Sequence, residues 1–130
     1  MLGSDAILEP SHNNHPRSTG CFARHFGTYL RDQGVLGLME ALAKATILPA
    51  QLVSGACPAM QRKGRLQIGA DADVCVFDPA TIADRSTIAD PAQRSAGMSW
   101  VLVDGQVVQS PDGVDETVRP GRAMRSEITA

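Results

Sequence analysis

An α+β chain is the fold class this sequence predicts, and two observations carry the prediction. The first is a change of texture near residue 64. Before it, apolar positions recur at helical spacing; after it, they come in short runs broken by glycine, aspartate and proline. The second is an Asp-Gly pair, Asp104-Gly105, set between two β-branched runs. The shift divides the chain into a helical part, 1–63, and a β part, 64–130.

The elements follow in order. Met1-Leu2 is a short apolar lead that ends through Gly3-Ser4 at Asp5. Residues 6–20 hold prolines, asparagines, histidines and Gly20, which reads as one long loop. From Phe22 to Arg31, Phe22, Phe26, Tyr29 and Leu30 recur at helical spacing, with Gly34 as a stop. Leu38 to Thr46 places Leu38, Met39, Leu42, Ala43 and Ala45 on one broad face, and Glu40 and Lys44 form an i,i+4 pair in the favourable order. Pro49 suits the first turn of another helix, with Ala50 to Val53 continuing it. Ser54 to Lys63 is a connector. Leu66, Ile68, Val74, Val76 and Phe77, broken by Gly69, Asp71, Asp73, Asp78 and Pro79, have strand and turn chemistry. Residues 80–97 read as a loop, and Trp100 to Val108 as a hairpin turning at Asp104-Gly105.

Size and charge narrow the function. A chain of 130 residues is far short of the ~250 of a complete (β/α)8 barrel. Its net charge of -2, with twelve Lys and Arg dispersed among fourteen acids, gives no support to nucleic-acid or membrane-surface binding. Cys21, Cys57 and Cys75 are far apart and lack the paired spacings of metal knuckles or redox motifs, so free thiols in a reducing compartment are expected. No apolar run reaches the ~18 residues of a spanning helix, and no basic-then-apolar leader precedes residue 20. A cytoplasmic location follows as the expectation.

The chemistry concentrates near the start. Asp5 at a strand end, followed by a polar loop with His12, His15 and Arg17, is the arrangement a hydrolytic site needs at the mouth of an α/β barrel. Asp5 also reads as a turn or helix cap, and Arg17 as a solvated loop arginine. His12 and His15 have a spacing that can chelate zinc, but on a proline-containing loop, exposed or locally bonded imidazoles are the simpler reading. His25 packs or faces solvent rather than binding metal. Cys21 beside Gly20 at a helix start is a candidate for a lowered thiol pKa, without an identifiable base. Asp71 and Asp73 lack the remaining ligands of a calcium loop and read as turn residues.

These residues resemble the carboxyl-terminal part of metal-dependent amidohydrolases of the N-acyl-D-amino-acid deacylase (D-aminoacylase) type. The stretches are Gly3-Ser4-Asp5, His15-Pro16-Arg17, Phe22 through Leu30, Leu38 through Ala50, Gly64-Arg65-Leu66, Ile68 through Val74 running into Phe77-Asp78-Pro79, Val101 through Gly105 and Gly121-Arg122. Gly69-Ala70-Asp71-Ala72-Asp73 before an apolar strand marks the superfamily; Asp5 with His15-Pro16-Arg17 is the narrower marker. The strand before Gly3 is cut to two residues, which implies a start inside a longer ancestral reading frame or a trimmed one.

The resemblance implies an α+β fragment: the last strand and helices of a (β/α)8 amidohydrolase barrel, followed by the C-terminal strands of its small β-sandwich. It implies hydrolysis of the amide of an N-acyl-D-amino acid, zinc in the complete enzyme, and none bound by this fragment, which would be inactive alone. Asp5 would bind the metal or accept the proton of the attacking water and pass it to the departing amine. Arg17 would grip the substrate carboxylate with two parallel hydrogen bonds, and His15 would orient Arg17. A homo-oligomer or a separate barrel-bearing polypeptide would be the partner. The alternatives are a non-catalytic interaction or structural module using faces that once covered a barrel, and an amidohydrolase of cyclic amides, which would give Arg17 less to do.

Overall fold

A computed structural model describes residues 1–7 and 15–126, so His12 lies outside the described residues. Helix α1 (Arg17–Arg24) runs directly into a π-helical stretch, His25–Asp32. Helices α2 (Leu38–Ala45) and α3 (Ile47–Ser54) follow, then a 3₁₀ turn at Pro58–Arg62. The strands are β1 (Val74–Phe77), β2 (Met98–Val103), β3 (Gln106–Ser110) and β4 (Gly113–Val114), adjacent in that order within one sheet. The chain is α+β with a small sheet whose β2/β3 and β3/β4 pairs are antiparallel. None of its described helices is long and apolar enough to cross a membrane.

Two compact units emerge. One consists of Leu2–Ala41 and Phe77–Met98; the other holds Leu42–Val76 and the chain from Ser99 onward, with Met1. In the first, Ala23, Phe26, Ala41 and Ile82 form the buried apolar centre, with Ile82 only 1% exposed. Phe26 lies 4.9 Å from Phe77, ring centroid to centroid, a separation at which tilted aromatic pairs attract. The Asp78-Pro79 turn caps itself: the Asp78 carboxylate accepts from the Ala80 N–H and the Thr81 hydroxyl. Arg31 then donates to the carbonyls of Ile82 and Ala80, tying this turn to the π-helical stretch. Gly27 allows that approach, because a Cβ there would stand 2.6 Å from the Ile82 carbonyl oxygen.

In the second unit, Asp104 and Gly105 have φ of 50° and 78°, the double left-handed pair that a two-residue hairpin with native twist requires. The register is Val103 opposite Gln106 and Leu102 opposite Val107, with a bulge between Leu102 and Val101. Behind the turn, the Gly105 N–H donates to the Ala72 carbonyl and the Asp104 N–H to the Asp73 carboxylate. Lys63 pairs with both Asp71 and Asp73, while Arg122 holds Asp104 at 2.6 Å and approaches Asp71 to 3.8 Å. The Asp71 Oδ2 atom is buried without a well-aligned hydrogen bond although the Lys63 ammonium is 3.0 Å away; proximity of opposite charge is what holds it.

The Lys63 ammonium beside it pulls the Asp71 carboxyl below its ordinary range, with Arg62 and Arg122 adding to it. Lys63 and the Asp104 N–H do the same for Asp73. Burial works to lower the Lys63 pKa, but the bonds to Asp73 and Asp71 outweigh it and leave it raised. Asp71 and Asp73 are thus turn residues, as their spacing suggests, and each is also an ion-pair partner.

Several local expectations need correction. Helix begins at Arg17, inside the span read as loop, because the Pro16 carbonyl accepts the Gly20 N–H and opens the first turn. The helix around Pro49 starts earlier, at Ile47, leaving Pro49 in the first turn, where its missing N–H is harmless. The connector before Gly64 contains the 3₁₀ turn. No strand precedes Val74 among the described residues; Leu66 and Ile68 are exposed, and Gly69, at φ 85°, turns the chain instead.

Candidate functional site

Asp5, His15 and Arg17 come together, and Arg17 joins them. Its guanidinium lies 3.0 Å from the Asp5 carboxylate through Nη2, and its Nε donates to the Asp5 carbonyl at 2.9 Å. Its backbone N–H donates to His15 Nδ1 at 3.1 Å. An accepting Nδ1 leaves the proton of the neutral ring on Nε2. The Asp5 side chain is 83% exposed, so this carboxylate is open to solvent.

The first turn of α1 grips the segment that carries Asp5. Arg17, Ser18 and Cys21 reach the carbonyls of Asp5, Ile7 and Gly3 respectively, the thiol contact being long at 3.9 Å. Those carbonyls belong to alternate residues, so one helical turn holds five residues of chain. Asp5 itself has φ of 49°. Aspartate enters this left-handed region more readily than most residues, at a cost, and such conformations gather where surrounding contacts over-determine the chain.

A second polar cluster lies against α1. The Asp84 carboxylate takes the Arg24 guanidinium at 2.8 and 2.7 Å through Oδ2, and Oδ1 accepts the Ser86 N–H and hydroxyl. Burial pushes the Asp84 carboxyl up, but the bonds from Ser86 and the Arg24 charge outweigh it and hold its pKa below the ordinary range. The Cys21 thiol moves the other way. Burial and then the Asp84 charge raise its pKa, against a weaker opposite pull from Arg24, so the lowered value expected from its place at a helix start is wrong. His25 is buried, its Nε2 3.1 Å from the Ala41 carbonyl and its ring edge-on to Phe26, which is a packing role.

Sequence reading passed over Asp84 and Ser86, assigning them to an unstructured loop. Their signal was local: an aspartate two residues before a serine is the pattern of a side chain capping the backbone ahead of it.

Among the described residues no group of three or more His, Cys, Asp or Glu could hold a metal ion. Asp5 offers one carboxylate, and His15 Nδ1 is already an acceptor. These residues do not by themselves fit the zinc that the resemblance implies. What they present is an exposed carboxylate beside a planar cation, able to take up a proton and to bind an anion.

A carboxylate beside a guanidinium at the start of an α+β chain is chemistry that a hydrolase can use. The chain belongs to the amidohydrolase family, which it matches over residues 1–109. N-acyl-D-glutamate deacylase of Alcaligenes xylosoxydans xylosoxydans is 42% identical to it, covering 99% of this chain and 25% of that protein. D-aminoacylase of the same organism is 43% identical, over 83% of this chain and 21% of its own length. The crystal structure of a D-aminoacylase superimposes with a TM-score of 0.84 at 38% identity, over 96% of this chain and 25% of that one. N-acyl-D-glutamate deacylase from Bordetella bronchiseptica, complexed with zinc and a phosphonate mimic of the reaction's tetrahedral intermediate, does so with a TM-score of 0.79 at 41% identity, over 97% and 25%. The chain spans about a quarter of the length of the curated relatives it matches.

Proposed function

We propose that this chain is the carboxyl-terminal portion of a zinc-dependent amidohydrolase that hydrolyses the amide bond of N-acyl-D-amino acids. In this reading, residues 1–63 complete the barrel and residues 64–130 contribute strands to its β-sandwich. The observation that supports it most is the joining of Asp5, His15 and Arg17 at one open cluster in a chain 42% identical to an N-acyl-D-glutamate deacylase. The metal's remaining ligands would come from the rest of the enzyme, supplied within one longer polypeptide or by a separate one. A cytoplasmic setting agrees with three free cysteines.

Asp5 would take the proton of the attacking water and deliver it to the amine as the C–N bond breaks, the two transfers a single carboxylate can perform in turn. Arg17 would hold the substrate carboxylate through its planar donors. The same donors hold Asp5 in the structure described, so substrate would compete for them. A cyclic amide offers no such carboxylate, which makes the acyclic substrate the better match to Arg17.

The test is a chimera in which this chain replaces the homologous quarter of the Alcaligenes N-acyl-D-glutamate deacylase. Assayed by release of free amino acid, it should hydrolyse an N-acyl-D-amino acid and leave the L-enantiomer intact, while this chain alone releases none. A folded, metal-loaded chimera inert on every N-acyl-D-amino acid would overturn the proposal.

A further inference from the structure

We infer that Asp84 and Ser86 are positioning residues for Arg17, setting the rotation of α1 from the face beside the one that grips the Asp5 segment; the inference rests on the role of Arg17 proposed above. Ser86 is 5% exposed and the Asp84 side chain 6%. Polar groups so deeply buried need partners, and here the partners lie along α1. The Ser86 hydroxyl is 2.9 Å from the Pro16 carbonyl, at the opening of the helix. Arg24, in its last turn, binds Asp84. Between them, a Cβ on Gly20 would stand 2.0 Å from Asp84 Oδ1 and 2.5 Å from Ser86 Oγ, so the helix closes onto the pair without a side chain.

Positions 16, 20 and 24 are i, i+4 and i+8, a single stripe. Arg17 is one residue on, about 100° around the helix, and from there it reaches both oxygens of Asp5. Two further bonds oppose rotation: Thr19 donates to the Pro91 carbonyl at 2.8 Å, and Ser95 donates to the Thr19 carbonyl at 2.9 Å. Loosening the stripe turns the helix and moves Arg17 off Asp5. The Ser86 hydroxyl has one proton and two acceptors within reach, Pro16 and Asp84. Its removal therefore frees the helix start while the Arg24–Asp84 ion pair remains.

Side-chain Nε–H resonances in ¹⁵N NMR of this chain test the inference without any assay of activity, so a failure of the deacylase reading and a failure of this one are separately visible. The Arg17 signal is assigned by its loss in Arg17→Lys. In Ser86→Ala with wild-type circular dichroism and an intact Arg24 signal, the Arg17 Nε–H should exchange with solvent about tenfold faster, the effect of losing one hydrogen bond's support. Ser86→Thr, which retains a hydroxyl, should restore slow exchange. If Ser86→Ala does not fold, Asp84→Asn serves in its place, with the same acceleration expected at Arg17. Arg17 exchange unchanged in a folded Ser86→Ala or Asp84→Asn protein would overturn the inference.

Discussion

At the scale of single residues, the site depends on who holds whom. Asp5 is strained at φ 49° and exposed, yet two bonds from Arg17 meet it. An exposed ion pair contributes little to stability, of order 0–1 kcal/mol, so this contact is better understood as aim than as adhesive. Gly20 is different, because its missing side chain is a packing requirement. Gly20→Ala should destabilise the chain by about 1–3 kcal/mol, the usual cost of overpacking, because Asp84 is pinned by Arg24 and Ser86 and cannot retreat. A urea titration checks this; an unchanged midpoint would show that Asp84 moves freely.

Among elements, glycines in two turns separate conformational cost from lack of space. Gly105 in the hairpin has φ of 78° and room for a Cβ, which would meet only Ala72 Cβ at 3.9 Å, whereas Gly97, at 79°, would place a Cβ 2.4 Å from the Ile82 backbone nitrogen. Gly105→Ala should cost about 1–2 kcal/mol, the left-handed penalty alone. Gly97→Ala should cost clearly more, since backbone atoms cannot yield, and equal thermal shifts for the two would contradict this. The hairpin was legible because Asp-Gly between β-branched runs is a purely local signal, and α2 because its apolar spacing is regular. Less was legible where long-range contacts decide. Leu66 and Ile68 look like strand but stay exposed, and the loop reading of residues 17–20 missed a helix start set by the Pro16 carbonyl. Asp5, His15 and Arg17 stand out in the sequence by their chemistry, and the structure brings them together; Asp84 and Ser86 show only a local turn pattern, and their pairing with α1 is hidden because Arg24 and Pro16 lie 60 and 70 residues away in sequence.

For the whole molecule, charge sets the range of pH over which the fold is stable. Asp71, Asp73 and Asp84 have lowered pKa values. Their contribution is fully present above the unfolded value of about 3.9 and disappears as pH falls below it through the lower folded values. Lys63 is raised, so its contribution is complete below about pH 10.4 and disappears as pH rises past that point. The urea midpoint should therefore fall at both extremes. Lys63→Met should lower it at neutral pH and make the acid limb shallower, because Asp71 and Asp73 lose the partner that depresses them; an acid limb unaltered by that substitution would contradict the assignment.

The Asp5 carboxylate is central to the proposed activity, and Asp5→Asn isolates it, since asparagine tolerates the same left-handed backbone while losing the charge. The direct measurement is kcat for N-acyl-D-amino-acid hydrolysis by the deacylase chimera with and without Asp5→Asn. Loss of a proton-transferring group predicts a fall of about 10²- to 10⁴-fold; a kcat equal to that of the unsubstituted chimera would contradict the account.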